Sequence, residues 1–216
     1  LNVRSSTEGM RAFALWVSLY IDIGLHHSDA EARQEADDMV ALLTPIIKGY
    51  CTERGFQNIS DCMQVTGGSG YTSDWCIEQY LRDARIAMIY EGTNHIQALD
   101  LVGRKLPLDG GRLYKRFSKK VYKFIKANKE VEGMAEFIGP LEAALNQLNE
   151  ITMKLAMQGM SDPEWAAAVA SNYLNLFGTT SLAYVWARMA KVCIEPSNKF
   201  SRTKLKMARY FYTNVL

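Results

Sequence analysis

Apolar residues recur along this chain at intervals of three and four, the spacing that lines one face of an α-helix. From Met39 they fall at Leu42, Leu43, Ile46, Ile47 and Tyr50, then at Phe56, Ile59 and Met63. Met10 to Ile23 is apolar on most sides, which predicts a helix enclosed by its neighbours. The polar stretch "HHSDAEARQEADD" (26–38) reads as a solvated loop or an exposed helical start, with Ser28 or Asp29 as its cap. Pro45 withholds an N–H inside the next run and predicts a kink or a fresh helix near Thr44. Hairpin turns flanked by alternating Val, Ile and Thr are nearly absent, so the expected fold is all-α.

Glycine supplies the punctuation. "GGSGY" (67–71) predicts a stop, because three glycines in four residues allow positive φ and close backbone approach. Helix resumes over Trp75 to Ile89, breaks at Glu91-Gly92, and restarts with Thr93 as N-cap. It ends near Leu106-Pro107. "PLDGG" (107–111) reads as a linker that divides the chain into residues 1–106 and 107–216.

Beyond it, "RLYKRFSKKVYKFIK" (112–126) sets Leu113, Phe117, Val121, Phe124 and Ile125 on one helical face and seven Lys or Arg mostly on the other. Further helices are expected over Glu132–Gln158, from Asp162 (an N-cap followed by Pro163) to about Val192, and over Ser197–Val215. Four helices in that space suggest a small second bundle.

Composition narrows the function. With 25 Lys and Arg against 23 Asp and Glu, a net charge of +2 gives no electrostatic case for nucleic acid. The cysteines at 51, 62, 76 and 193 contain no C-x-x-C pair, and adjacent His26 and His27 suit one metal poorly, so no metal site is expected. Scattered thiols fit a reducing compartment, which makes the expected location cytoplasmic. Trp165 to Ala187 carries no charge, but two Asn and several hydroxyls in that run favour a bundle or subunit-interface helix over a membrane span. The first residue is Leu rather than Met, and the chain is expected to be part of something longer.

The break at Tyr90-Glu91-Gly92-Thr93 is where chemistry is expected. A carboxyl flanked by Tyr90, Ile89 and Ile96 would be partly desolvated, which raises its pKa toward the range of a general base. Gly92 leaves space beside it, and the N–H groups of the helix starting at Thr93 can hold an oxygen. Such a set suits removal of a proton next to a carbonyl. From the residues alone, a plain helix break with a capping Thr is the favoured reading.

"QVTGGSGY" (64–71) and "RDARIAMIYEGTNHIQ" (82–97), with the residues between, resemble the C-terminal signature of the acyl-CoA dehydrogenases. The similarity runs from about residue 10 to 106. It looks most like a long bacterial branch with an extra helical segment after the dehydrogenase core, the branch of the 3-methylmercaptopropionyl-CoA dehydrogenases. The resemblance implies a flavoenzyme that oxidises an acyl-CoA thioester to the trans-2-enoyl-CoA. Glu91 would be the base that takes the α-proton, its N–H would help hold the thioester oxygen, and Gly92 would line the acyl site. Thr93, Asn94 and His95 would lie at FAD, and Gln64, Val65, Thr66, Gly67 and Gly68 would touch FAD across a subunit interface. His95 is read as a packing or adenine-side variation, Tyr90 as packing, and Arg82, Asp83 and Arg85 as an ion-pair network fixing the preceding helix.

By the same resemblance the electron acceptor is electron-transfer flavoprotein and the assembly a homo-dimer or tetramer. The family's N-terminal helical domain and β-barrel are absent, so this piece alone is expected to be inactive and to bind FAD weakly or not at all. The alternative reading is a non-catalytic helical module for oligomerisation, or for membrane-surface contact through the basic-aromatic helix.

Overall fold

The computed structural model describes residues 1–195 and 198–216, all helix and turn with no strand among them. Ser197, where the last helix was expected to begin, lies outside the described residues. Helices α1 (Asn2–His26) and α2 (Ala30–Ile46) form an antiparallel pair joined by a tight turn, and of the two candidate caps it is Asp29 that accepts from Glu31 N–H at 3.1 Å. Pro45 does not end α2. The helix runs through it and then widens into a π turn, Ile47–Cys51, before α3 (Thr52–Thr66). A π turn shifts the register of the side chains that follow it, and it often marks a functional site.

Gly67 stops α3 with φ +60° and ψ −148°, a conformation open essentially to glycine alone. A single helical turn, α4 (Gly68–Tyr71), then leads to α5 (Ile77–Ile86). The chain breaks over residues 87–93 and restarts as α6 (Asn94–Asp100), extended by a second π turn, Leu101–Lys105. The "PLDGG" segment is a compact turn: Asp109, Gly110 and Gly111 all take positive φ.

The second half contributes α7 (Arg112–Asn128), α8 (Ala135–Gln158), α9 (Pro163–Cys193) and α10 (Lys199–Asn214). Asp162 caps α9 as expected, accepting from Trp165 N–H at 2.9 Å. α8 begins three residues later than the pattern implied, because Gly133 takes φ +75° in the turn before it. At 31 residues α9 is roughly 46 Å long. It is buried on every side from Thr180 to Ala187, which explains its lack of charge. Among the described residues no helix is long and apolar enough to cross a membrane.

The two segments share one continuous core. Phe177 of α9 stacks against Phe117 of α7 with centroids 4.7 Å apart, and Tyr184 of α9 meets Trp16 of α1 at 5.2 Å. Glycines allow the close approaches: a Cβ at Gly178 would stand 2.4 Å from the Tyr50 ring, and one at Gly9 would stand 2.7 Å from Trp186 Nε1. Charge also crosses between the segments. Asp38, which sequence grouped with a solvated stretch, is buried, with Arg112 and Arg116 of α7 each 3.0 Å from its carboxylate. Glu8 of α1 pairs with Lys204 of α10.

Two parts of the first segment are less covered than expected. α1 is not enclosed, since Leu15 and Leu19 are 69% and 53% exposed on its outer face. Around α3 to α6 the core thins further: α5 has no buried residue and α3 only Asn58.

Candidate functional site

The loop over residues 87–93 leaves α5 through two stacked turns, with Ile89 N–H and Tyr90 N–H both donating to Ile86 C=O. It closes where Asn94 N–H donates to Met88 C=O at 3.2 Å. Between these points Glu91 and Gly92 both adopt left-handed backbone, φ +56° and +80°. A non-glycine residue there carries strain of the order of 1 kcal/mol, held only where the surroundings impose it. The surroundings are visible. Gln97 Nε2 donates to Glu91 C=O at 2.9 Å, and Lys48 Nζ donates to Gly92 C=O at 2.5 Å. Thr93 then caps α6 by accepting from Ile96 N–H at 3.4 Å.

Lys48 comes from the first π turn, and it also donates to Asn94 Oδ1 at 3.1 Å. Thr52 Oγ1 donates to the same oxygen at 3.0 Å, and Asn94 Nδ2 donates to Glu53 Oε2 at 3.0 Å. Burial lowers the Lys48 ammonium from its usual range, and the nearby Glu91 carboxylate opposes that shift. Next in sequence, His95 Nδ1 lies 2.8 Å from Ser171 Oγ on α9. The loop is therefore fastened to the first π turn at one side and to α9 at the other.

Several expectations change against this geometry. Glu91 is exposed, with Ile89, Tyr90 and Ile96 beside it about half exposed, so this chain by itself does not dry the carboxyl as expected. The left-handed turn that presents Glu91 also swings it off the covered face. Asn94 uses both ends of its amide on Lys48, Thr52 and Glu53, and the Thr93 hydroxyl oxygen accepts in the cap. Backbone, the Thr93 O–H and the outer edge of His95 remain for a ligand at 93–95. The expected network of Arg82, Asp83 and Arg85 does not form: Arg82 pairs with Glu78 at 2.8 Å, and Arg85 lies over Phe56 and contacts Met88 Sδ.

Gln64, Val65, Gly67 and Gly68 are exposed and Thr66 half-buried, at the far end of α3 from Asn94. α3 has 15 residues, roughly 22 Å. The structure thus separates the two candidate cofactor sets within one chain. At Gly67 and Gly68 an added Cβ would meet nothing within 4 Å, so that bend offers open backbone to a ligand or another copy, and it fits a dinucleotide's phosphates.

Sequence reasoning missed Lys48, Gln97 and Ser171. Lys48 had a signal: it is the single charge in the apolar run from Val40 to Tyr50, four residues before Thr52. Ser171 had none, because its partner lies 76 positions away.

The family model described as acyl-CoA dehydrogenase, C-terminal domain, matches residues 25–106, and the one described as acetyl-CoA dehydrogenase C-terminal like matches residues 117–216. The chain is similar over its whole length, at 35% identity, to 38% of the 3-methylmercaptopropionyl-CoA dehydrogenase of Ruegeria pomeroyi. It is 27% identical, over 99% of its length, to 37% of the broad-specificity linear acyl-CoA dehydrogenase FadE5 of Mycobacterium tuberculosis. The chain thus spans under two-fifths of the length of these relatives. The crystal structure of Caenorhabditis elegans ACDH-11 in complex with C11-CoA shares the fold, with a TM-score of 0.79 at 21% identity over 96% of this chain and 34% of that one.

Proposed function

The chain belongs to the acyl-CoA dehydrogenase family, and we propose that it forms the base-bearing part of an enzyme that oxidises an acyl-CoA thioester to the 2-enoyl-CoA. The observation that carries this reading is the Glu91 loop. Its backbone is pinned through the carbonyls of residues 91 and 92 while the carboxylate stays exposed. The space beside Gly92 is narrower than expected, since an added Cβ there would stand 3.1 Å from Gln97 Nε2 and 3.4 Å from Ile96 Cγ2. Glu91 takes the α-proton. Negative charge then develops on the thioester oxygen, where the Glu91 N–H can donate, since it has no partner among the described residues. Lys48 acts through the Gly92 carbonyl and fixes where the carboxylate stands.

FAD, when bound, would supply the acceptor for the hydride that leaves the β-carbon. Gln64 to Gly68 would hold FAD by open backbone, and residues 93–95 by backbone and the His95 edge. Because these sets lie at opposite ends of α3, the site is assembled from two copies of the chain. Support comes from the apolar surface of Val65, Tyr71, Trp75, Tyr80, Ile86, Ile89, Tyr90 and Ile96, all exposed. A second copy laid over it would exclude water from around the Glu91 carboxylate. Electron-transfer flavoprotein is the acceptor in this reading.

In the full-length protein, Glu91→Gln is expected to keep acyl-CoA binding and lose turnover by about 1,000-fold or more, within the range of a general base reinforced by its site. Most of the activity surviving in that variant would remove Glu91 from the role. Trp75→Glu is expected to lower the mass seen by light scattering. An unchanged mass would remove the second copy.

A further inference from the structure

An apolar groove of about 1080 Å³ opens between the π turn after α6, the outer edge of α7, the C-terminal half of α8 and the start of α9. It begins at Leu99, follows α8 from Asn149 to Ala156, a run of about 10 Å at the helical rise, and ends at Met160 in the turn beyond that helix. Its floor is Leu106, Tyr114, Leu155 and Ala166, each buried. The volume lies at the upper end of small-molecule sites.

Most polar atoms at the floor are paired with one another, the Asn149 amide N–H₂ being the exception among the described residues. Tyr114 O–H and Ser118 O–H both donate to Asn149 Oδ1, at 2.7 and 3.0 Å, and Thr152 Oγ1 shares a hydrogen bond with Tyr173 O–H at 2.7 Å. A ligand with polar groups along its length would find one free amide donor at Asn149 and would otherwise lose its own hydration. The part that enters must be apolar. Met153 on α8 and Met160 in the turn after it are exposed unbranched side chains that can adapt to a flexible chain.

The opposite edge is cationic in a selective way. On α7, Arg112 pairs with Asp38 and Asp109, Arg116 with Asp38, and Lys120 with Glu35 at 2.8 Å. Those cations serve the contact with α2. Lys115 and Lys119 line the groove as well as the neighbouring cleft with Asp109, Arg112 and Arg116, and neither forms an ion pair among the described residues, although Lys119 helps to hold the Glu35 carboxyl below its usual range. An apolar trough edged by two ammonium groups that form no ion pair among the described residues is complementary to one kind of small molecule. We propose that the groove binds a fatty carboxylate, with its chain along α8 and its head at Lys115 and Lys119.

The test uses the full-length protein and a dansyl-labelled undecanoate, with dodecanoate and dodecanol as competitors. Saturable fluorescence is expected, displaced better by dodecanoate than by the alcohol. Ala156→Trp, which fills the groove from an exposed position, should abolish the signal. Lys115→Gln with Lys119→Gln should weaken dodecanoate by about tenfold, the scale of two surface ion pairs, and leave dodecanol unchanged. No saturable signal, full affinity in Ala156→Trp, or equal effects of the double substitution on acid and alcohol would each overturn the assignment. Because Ala156 and the two lysines are not part of the Glu91 loop, these results are independent of whether Glu91 is the base.

Discussion

Gly178→Ala tests whether the second segment holds the candidate site in place. Gly178 sits on α9 against Tyr50, and an added Cβ would stand 2.4 Å from both Cγ and Cδ2 of that ring and 2.9 Å from its Cβ. The ring cannot step aside cheaply. Tyr50 is 1% exposed, and its hydroxyl is 3.2 Å from Thr179 Oγ1 on the same α9 helix. Overpacking of this kind costs about 1–3 kcal/mol, against which Ala recovers somewhat under 1 kcal/mol of helix propensity. A net loss of about 1–2 kcal/mol corresponds to roughly 2–8 °C in a chain of this size.

Strain at Tyr50 falls on the first π turn and therefore on Lys48, two residues earlier, whose ammonium holds Gly92 C=O. Amide exchange at residues 92–94 should accelerate along with the drop in Tm. Gly55→Ala is the control, since a Cβ there meets nothing within 4 Å inside α3. It should leave Tm unchanged or raise it slightly. If Gly178→Ala behaved like Gly55→Ala in Tm and in exchange, Tyr50 would not be lodged against α9, and the coupling of the two segments would be wrong.

Gly67→Ala should destabilise by about 1–3 kcal/mol in thermal or urea unfolding although no atom opposes the new methyl, because only the backbone angles forbid it; a neutral result would mean the bend relaxes freely. Lys48→Met should cost about 1–2 kcal/mol and speed exchange in the Glu91 loop while helix content by circular dichroism is kept, and unchanged exchange there would deny Lys48 its positioning role. Burial tends to raise the Glu8 carboxyl, but hydrogen bonds and charge from Lys204 and Arg4 outweigh it and hold the group below its ordinary 4.5. Its contribution to stability is thus complete above that pH and is lost as pH falls further. Chemical denaturation in a pH series should show Glu8→Gln with a shallower acid loss than the parent chain, and parallel curves would refute the pairing of α1 with α10 as a source of stability.

Much of the local structure was legible in the chain itself. The caps at Asp29, Thr93 and Asp162, the stop at Gly67 and the break after α5 each depend on a few consecutive residues, so short-range hydrogen bonding and backbone sterics decide them. The buried stripe of α7 was equally plain, since Leu113, Phe117, Val121 and Ile125 return to one face at the helical period. What could not be read was distance between elements. Asp38 looked solvated because its partners stand 74 and 78 positions away on α7. Glu91 looked half-buried because apolar neighbours in sequence were taken as neighbours in space, whereas Ile89, Tyr90 and Ile96 point out with it.

The same limit hid the separation of Gln64–Gly68 from Thr93–His95 and the clamp of Lys48 on Gly92. Helix, cap and turn are properties of segments a few residues long, and composition along the chain determines them. Exposure and the meeting of distant side chains arise only when helices choose their packing partners, and tertiary structure alone decided those.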